Sequence, residues 1–207
     1  MSHGLGTISV VQELLGPLVP VFALITQFGD VWFLLVLLST LFLTDGQVPR
    51  FRDHIDRQAV AYVIALAIGG LGLTVGLKLL IGLPRPPAMP VNGGWLPAPL
   101  FDLYVSVVEA EGYGFPSGHA IGATVVYGGL ALVYGESVSR RRLLVAAGLA
   151  GLVGFSRIAI GVHHLTSVLG GFVIGIAYLA IVTKLTGNGK RVALAYLLAV
   201  VVGVFAL

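Results

Sequence analysis

The chain has 207 residues, of which 57% are hydrophobic and 10% charged, with a mean hydropathy of +0.99 and a formal net charge of +3. So apolar a composition excludes a soluble domain of this size and indicates a membrane protein, with residues 1–207 forming a single domain. Cysteine is absent, so there is no disulfide framework or thiolate metal site, and the redox compartment is not legible.

The first seven residues hold no basic cluster, so the chain does not begin like a cleaved secretory signal. Over 8–24, Val11, Leu14, Leu15 and Leu18 recur at helical spacing, but Gln12, Glu13, Gly16, Pro17 and Pro20 interrupt what would otherwise be a span. The pattern predicts an interfacial or re-entrant helix, with a crossing helix kinked at its prolines as the alternative. Asp30 and Trp32 then mark a membrane edge, and charge-poor runs follow at 31–44, 59–77, 120–135, 143–156, 165–183 and 192–207. Several fall short of the ~20 residues a span needs, so each must extend into its flanks. The expected fold is all-α: a polytopic membrane helical bundle of about six spans behind that N-terminal helix.

Charge sets the orientation. Nine of the twelve Lys and Arg residues fall in three alternate loops: Arg50, Arg52 and Arg57 in 45–58, Arg140, Arg141 and Arg142 in 136–142, and Lys184, Lys190 and Arg191 in 184–191. The positive-inside rule makes those loops cytoplasmic and leaves no basic surplus that calls for nucleic acid. The other three, Lys78, Arg85 and Arg157, lie at the opposite face, at or inside span ends, where an unpaired cation is costly. An anion would satisfy them, although snorkelling is the ordinary fate of a lysine such as Lys78. Lys78 and Arg85 are seven apart, so a helix continuing from Thr74 would bring both to one face before Pro84, Pro86 and Pro87 break it.

Pro, Gly and Asn residues open the long loop that follows. Leu100, Leu103, Tyr104, Val107 and Val108 then line one side of a helical wheel, and Asp102, Ser106 and Glu109 the other. This predicts an amphipathic helix on the bilayer with Trp95, Tyr113 and Phe115 at headgroup depth. Next come Pro116, Ser117, Gly118 and His119 before a long apolar run. With Ser117 as cap, the first-turn N–H groups form an anion seat, and His119 beside it can hand a proton to a leaving oxygen. A merely capped helix end is the plainer reading. Further on, Ser156 and Arg157 close one run and His163 precedes the next. They converge only if the chain turns at Gly161, and His164 is then a bystander.

Lys78 with Arg85-Pro86, then Pro116-Ser117-Gly118-His119, then Ser156-Arg157 with His163: together these resemble the three-part signature of the type 2 phosphatidate phosphatase superfamily, which also contains the soluble vanadium haloperoxidases. The likeness runs from about residue 58 to 184. It implies an integral-membrane lipid-phosphate phosphatase acting on a phosphomonoester or diphosphate headgroup, without cofactor or metal, from the extracytoplasmic face. It further implies that Lys78, Arg85, Ser117, Gly118 and Arg157 bind phosphate, that His119 protonates the leaving group, and that His163 attacks phosphorus to give a phosphohistidine. A lipid phosphate and the bilayer are the expected partners. Six apolar spans argue against a haloperoxidase-like enzyme.

One position departs from the pattern. Four residues after the attacking histidine the family carries an aspartate, and this chain has Ser167. Serine can orient an imidazole but cannot neutralise the charge it gains. Three alternatives stay open: Asp102, Glu109 or Glu111 supplies the charge, the enzyme is slow, or the chain is a catalytically impaired lipid-phosphate binding protein.

Overall fold

The structure, a computed structural model, describes residues 5–15, 18–44, 56–87, 95–134 and 137–206. Arg50, Arg52 and His54 of the first basic loop, the residues at 88–94 that open the long loop, and the side chains of Leu103 and Val108 lie outside the described residues. Among the described residues the regular structure is entirely helical. In chain order it comprises α1 (Leu5–Leu15), α2 (Val19–Ile25), a 3-10 turn (Thr26–Gly29), α3 (Val31–Leu43), α4 (Arg57–Ile81), α5 (Ala98–Val108), α6 (Gly118–Val133), α7 (Arg140–Ala159), α8 (Leu165–Leu185) and α9 (Val192–Phe205).

Every apolar run of the sequence falls on a helix, but the lengths differ from expectation. α4, α7 and α8 have 25, 20 and 21 residues and are long and apolar enough to cross. The segment Val19–Gly29 and α3 form a fourth candidate, bent by 48°. α6 and α9, at 16 and 14 residues, rise about 24 and 21 Å, short of the ~30 Å hydrocarbon core. Among the described residues, three helices are long enough to cross, or four spans if the bent pair counts as one, where the hydropathy pattern predicts about six. For α6 the reason is local: its first turn begins inside the protein at a polar site, where irregular backbone is tolerated away from lipid.

α6 is the central helix. Ala123, Val126 and Tyr127 pack among Leu34 and Leu38 of α3, Val60 and Val63 of α4, and Ala150 and Val153 of α7. Ile121 and Val125 meet Leu66 of α4 and Tyr178 and Leu179 of α8. Lipid tails are as apolar as these side chains, so the helices are held by close van der Waals contact and small residues that let backbones approach. Against α9, α4 presents Gly72, where an added Cβ would lie 3.0 Å from Gly203 Cα.

The N-terminal segment is more than a helix lying on the bilayer. It is two helices and a turn, and it packs into the bundle: Ile8 is fully buried with Ala120, Ile158 and Val168. Val19 and Ala23 bury against Ile160, Val162 and Tyr104 of α5. The amphipathic α5 is therefore clamped through Tyr104, with Asp102, Ser106 and Glu109 exposed on its other face.

Overpacking the α4–α9 contact should cost about 1–3 kcal/mol. Gly72→Leu is thus expected to unfold at lower temperature in detergent than the parent. Gly148→Ala, whose Cβ would meet nothing within 4 Å, should not. Equal unfolding temperatures for Gly72→Leu and the parent would contradict this helix packing.

Candidate functional site

All three sequence blocks end at one cavity of about 440 Å³. α4 delivers Lys78 in its last turn and stops at Gly82, whose φ of +63° sends the chain off in a left-handed cap. Arg85 therefore lies four residues beyond the helix in an extended segment. Lys78 and Arg85 do not share a helical face; the loop brings them together. Lys78 Nζ donates to the Tyr113 carbonyl at 3.1 Å and Arg85 Nε to the Glu111 carbonyl at 3.0 Å. One Arg85 Nη1 reaches both the Val162 carbonyl and His163 Nε2, each at 3.1 Å.

In the second block Ser117 occupies the N-cap position of α6, but its side chain makes no capping bond. Its main-chain N–H instead donates to the Ser167 carbonyl at 3.0 Å, and the fully buried Oγ has no protein partner. Gly118 and His119, in the first turn of α6, line the cavity. In the third block Arg157 sits in the last turn of α7, and Gly161 (φ +81°) supplies the turn that the spacing requires. The N–H groups of Val162 and His163 both fold back onto the Arg157 carbonyl at 3.2 Å, which brings His163 beside Arg157. Both side chains are buried, yet both line the cavity. His164 becomes the N-cap residue of α8 and is not among the lining residues.

The His163 ring is held from both sides: Nε2 faces Arg85 and Nδ1 lies 2.7 Å from the Gly114 carbonyl. Burial first, then the charges of Arg157 and Arg85, hold its pKa well below the usual histidine value, so the ring is neutral at physiological pH. Ser167 contributes a backbone carbonyl to Ser117, and the group facing His163 Nδ1 is the Gly114 carbonyl. The side chains of Asp102, Glu109 and Glu111 are exposed.

The bent N-terminal segment supplies a wall that sequence reasoning missed. Thr26 Oγ1 accepts from Arg157 Nη1 at 2.9 Å, and Asp30 Oδ2 lies 3.5 Å from His119 Nε2. Asp30 caps α3 through the Trp32 N–H, and Tyr127 of α6 donates to the Phe28 carbonyl at 2.6 Å, which ties the turn to the central helix. A signal was available: Asp30 is a carboxylate at the edge of an apolar run, and the argument that singled out Lys78 applies to it equally.

Three cations, Lys78, Arg85 and Arg157, thus face one carboxylate, Asp30, across the cavity. Such a surplus suits a multiply charged oxyanion, with two guanidinium groups to grip it beside Gly118 and His119 in the first turn of α6, whereas the fully buried Ser117 is not among the lining residues. A second cleft, of about 270 Å³, shares Lys78, Gly118 and His119 with this cavity. It continues between α3 and α4 along apolar residues such as Leu35, Ile68 and Leu71, each of which is also exposed on the outside of the bundle.

The PAP2 superfamily model matches residues 58–191. Phosphatidylglycerophosphatase B of Bacillus subtilis (strain 168) is 34% identical over 94 residues, which cover 42% of this chain and 46% of that protein, so the match spans about half the relative's length. The crystal structure described as the first transmembrane PAP2 type phosphatidylglycerolphosphate phosphatase, from Bacillus subtilis, superposes with a TM-score of 0.66 at 23% identity. It covers 88% of this chain and 84% of that one, which establishes a common fold.

If the cavity is an oxyanion seat, inorganic vanadate should raise the unfolding temperature of the detergent-solubilised protein. A ligand at 100 times its Kd adds about 2.7 kcal/mol. Arg157→Lys keeps the charge but loses the fork, and should lose most of that shift. No shift in the parent at millimolar vanadate would contradict the assignment.

Proposed function

The chain belongs to the PAP2 superfamily, and from that premise we propose that it is a lipid-phosphate phosphatase which cleaves a phosphomonoester or diphosphate headgroup through a phosphohistidine. The observation that carries this reading is the convergence of Lys78, Arg85, Arg157, His119 and His163 on one cavity that shares Lys78, Gly118 and His119 with an apolar cleft. The substrate's phosphate sits among the three cations, and its tail lies in the cleft between α3 and α4.

Phosphate ester hydrolysis has a very high uncatalysed barrier, so fixed charges around the phosphoryl oxygens are the main asset. The Nε2 lone pair of His163 attacks phosphorus in line. The bond to the leaving oxygen breaks, and that oxygen takes a proton from His119. Water then attacks phosphorus, its proton passes to His119, and the N–P electron pair returns to Nε2. Asp30 stabilises His119 while it carries the proton. The name of the B. subtilis relative makes phosphatidylglycerol phosphate the first candidate substrate. The whole chain acts as one domain, and its site faces the extracytoplasmic side; the positive-inside rule supports this reading, since Arg140, Arg141 and Arg142 begin α7 and Arg157 lies in the last turn of that helix.

Purified protein should release phosphate over many turnovers from at least one member of a panel of phosphatidate, phosphatidylglycerol phosphate and polyprenyl diphosphate. His163→Ala should abolish release. Tight binding without turnover would instead establish the lipid-phosphate binding reading, and full turnover in His163→Ala would remove the histidine from the chemistry. For topology, cysteines introduced at Ser139 and Ser106 should label oppositely with an impermeant reagent in intact cells, with only position 106 reactive. The reverse pattern would overturn the orientation.

A further inference from the structure

His163 has a partner at each ring nitrogen, and the two partners differ in kind. Arg85 Nη1 lies 3.1 Å from Nε2, and the Gly114 carbonyl lies 2.7 Å from Nδ1. A guanidinium only donates, so Nε2 must accept. A neutral imidazole has one N–H, which is then at Nδ1 and donates to Gly114. We propose that the main-chain carbonyl of Gly114 is the positioning group for His163, fixing the tautomer that leaves the Nε2 lone pair beside the phosphate seat. The inference rests on reading His163 as the attacking group.

The backbone around Gly114 shows why this carbonyl is so well placed. The Gly114 N–H donates to the Leu83 carbonyl at 2.7 Å, and a Cβ on Gly114 would lie 2.6 Å from the Pro84 oxygen and 2.9 Å from Arg85 Cα. Only a residue without a side chain lets the 83–85 segment lie so close. One backbone pairing therefore sets both groups that hold the ring: Arg85 on one nitrogen and the Gly114 carbonyl on the other. Ser167, one turn beyond His163, instead gives its own carbonyl to the Ser117 N–H.

The charge consequence follows from the bonds. When the Nε2 lone pair becomes an N–P bond, the leaving oxygen departs with its electron pair and takes the His119 proton. The ring keeps its Nδ1–H and becomes cationic. A carbonyl dipole supports that cation less than a carboxylate would. The phosphohistidine is accordingly a reactive intermediate, poised to pass its phosphoryl group to water.

Imidazole ¹⁵N NMR of the full chain in detergent tests the proposal without requiring turnover. With the signals identified by their loss in His163→Gln, His163 should show a protonated Nδ1 and an unprotonated Nε2. Ser167→Ala should leave that pattern unchanged. Gly114→Ala should mix the tautomers and lower kcat more than it changes KM. At metal sites, outer acceptors that fix a histidine's tautomer are worth about 10–100-fold, the loss expected here. A protonated Nε2 in the parent, a tautomer change in Ser167→Ala, or parental tautomer and kcat in Gly114→Ala would each overturn the proposal. Should Gly114→Ala not fold, the parent and Ser167→Ala spectra decide it. Should no lipid phosphate be hydrolysed, the phosphatase reading fails while these spectra still report on Gly114.

Discussion

Arg85 is the joint on which the site depends. Its guanidinium touches the Glu111 carbonyl before the second block, the Val162 carbonyl in the third, and the His163 ring itself. These three bonds tie together segments 77 or 78 positions apart at their furthest. A rigid planar fork can hold several acceptors at fixed angles, which a lysine ammonium cannot do. The guanidinium proposed to bind phosphate thus also orders the loop that carries the His163 ring. Losing it would disturb positioning as well as charge.

A cluster of three cations near lipid needs compensation. Carbonyl oxygens at Tyr113, Glu111 and Val162 supply part of it, Thr26 another part, and Asp30, among the described residues, the one facing carboxylate. Two of these groups come from the bent N-terminal segment, which explains why that segment is packed inside the bundle. Polar residues at membrane depth survive where protein covers them. The break between α2 and α3 is therefore a wall of the site, and the Tyr127 bond to Phe28 holds it in place. The positive surplus that remains is the capacity to take up an anion.

Much of this was legible in the residues. Periodicity and charge located the helices, because apolar runs bounded by basic loops leave few other solutions in a bilayer. Resemblance to the family pattern singled out Lys78, Arg85, Arg157 and His163, and the need for a turn at Gly161 followed from the six-residue separation of Arg157 and His163. Three features escaped. Arg85 reached the site from a loop, because Gly82 ended α4 earlier than helical phase alone suggests. Asp30 found His119 through a tertiary contact that no local pattern encodes. The partner of His163 Nδ1 is a main-chain carbonyl, and every residue has one, so a search among side chains for a replacement carboxylate could not find it.

The central claim is that phosphate passes through Nε2 of His163. The most direct measurement is rapid quenching into base during turnover of a phosphate-labelled lipid, followed by proteolysis and mass-spectrometric location of the retained phosphate. The account predicts an acid-labile, base-stable phosphate on Nε2 of His163. Phosphate on Nδ1 of that ring, on His119, or nowhere on the protein while hydrolysis continues would contradict it.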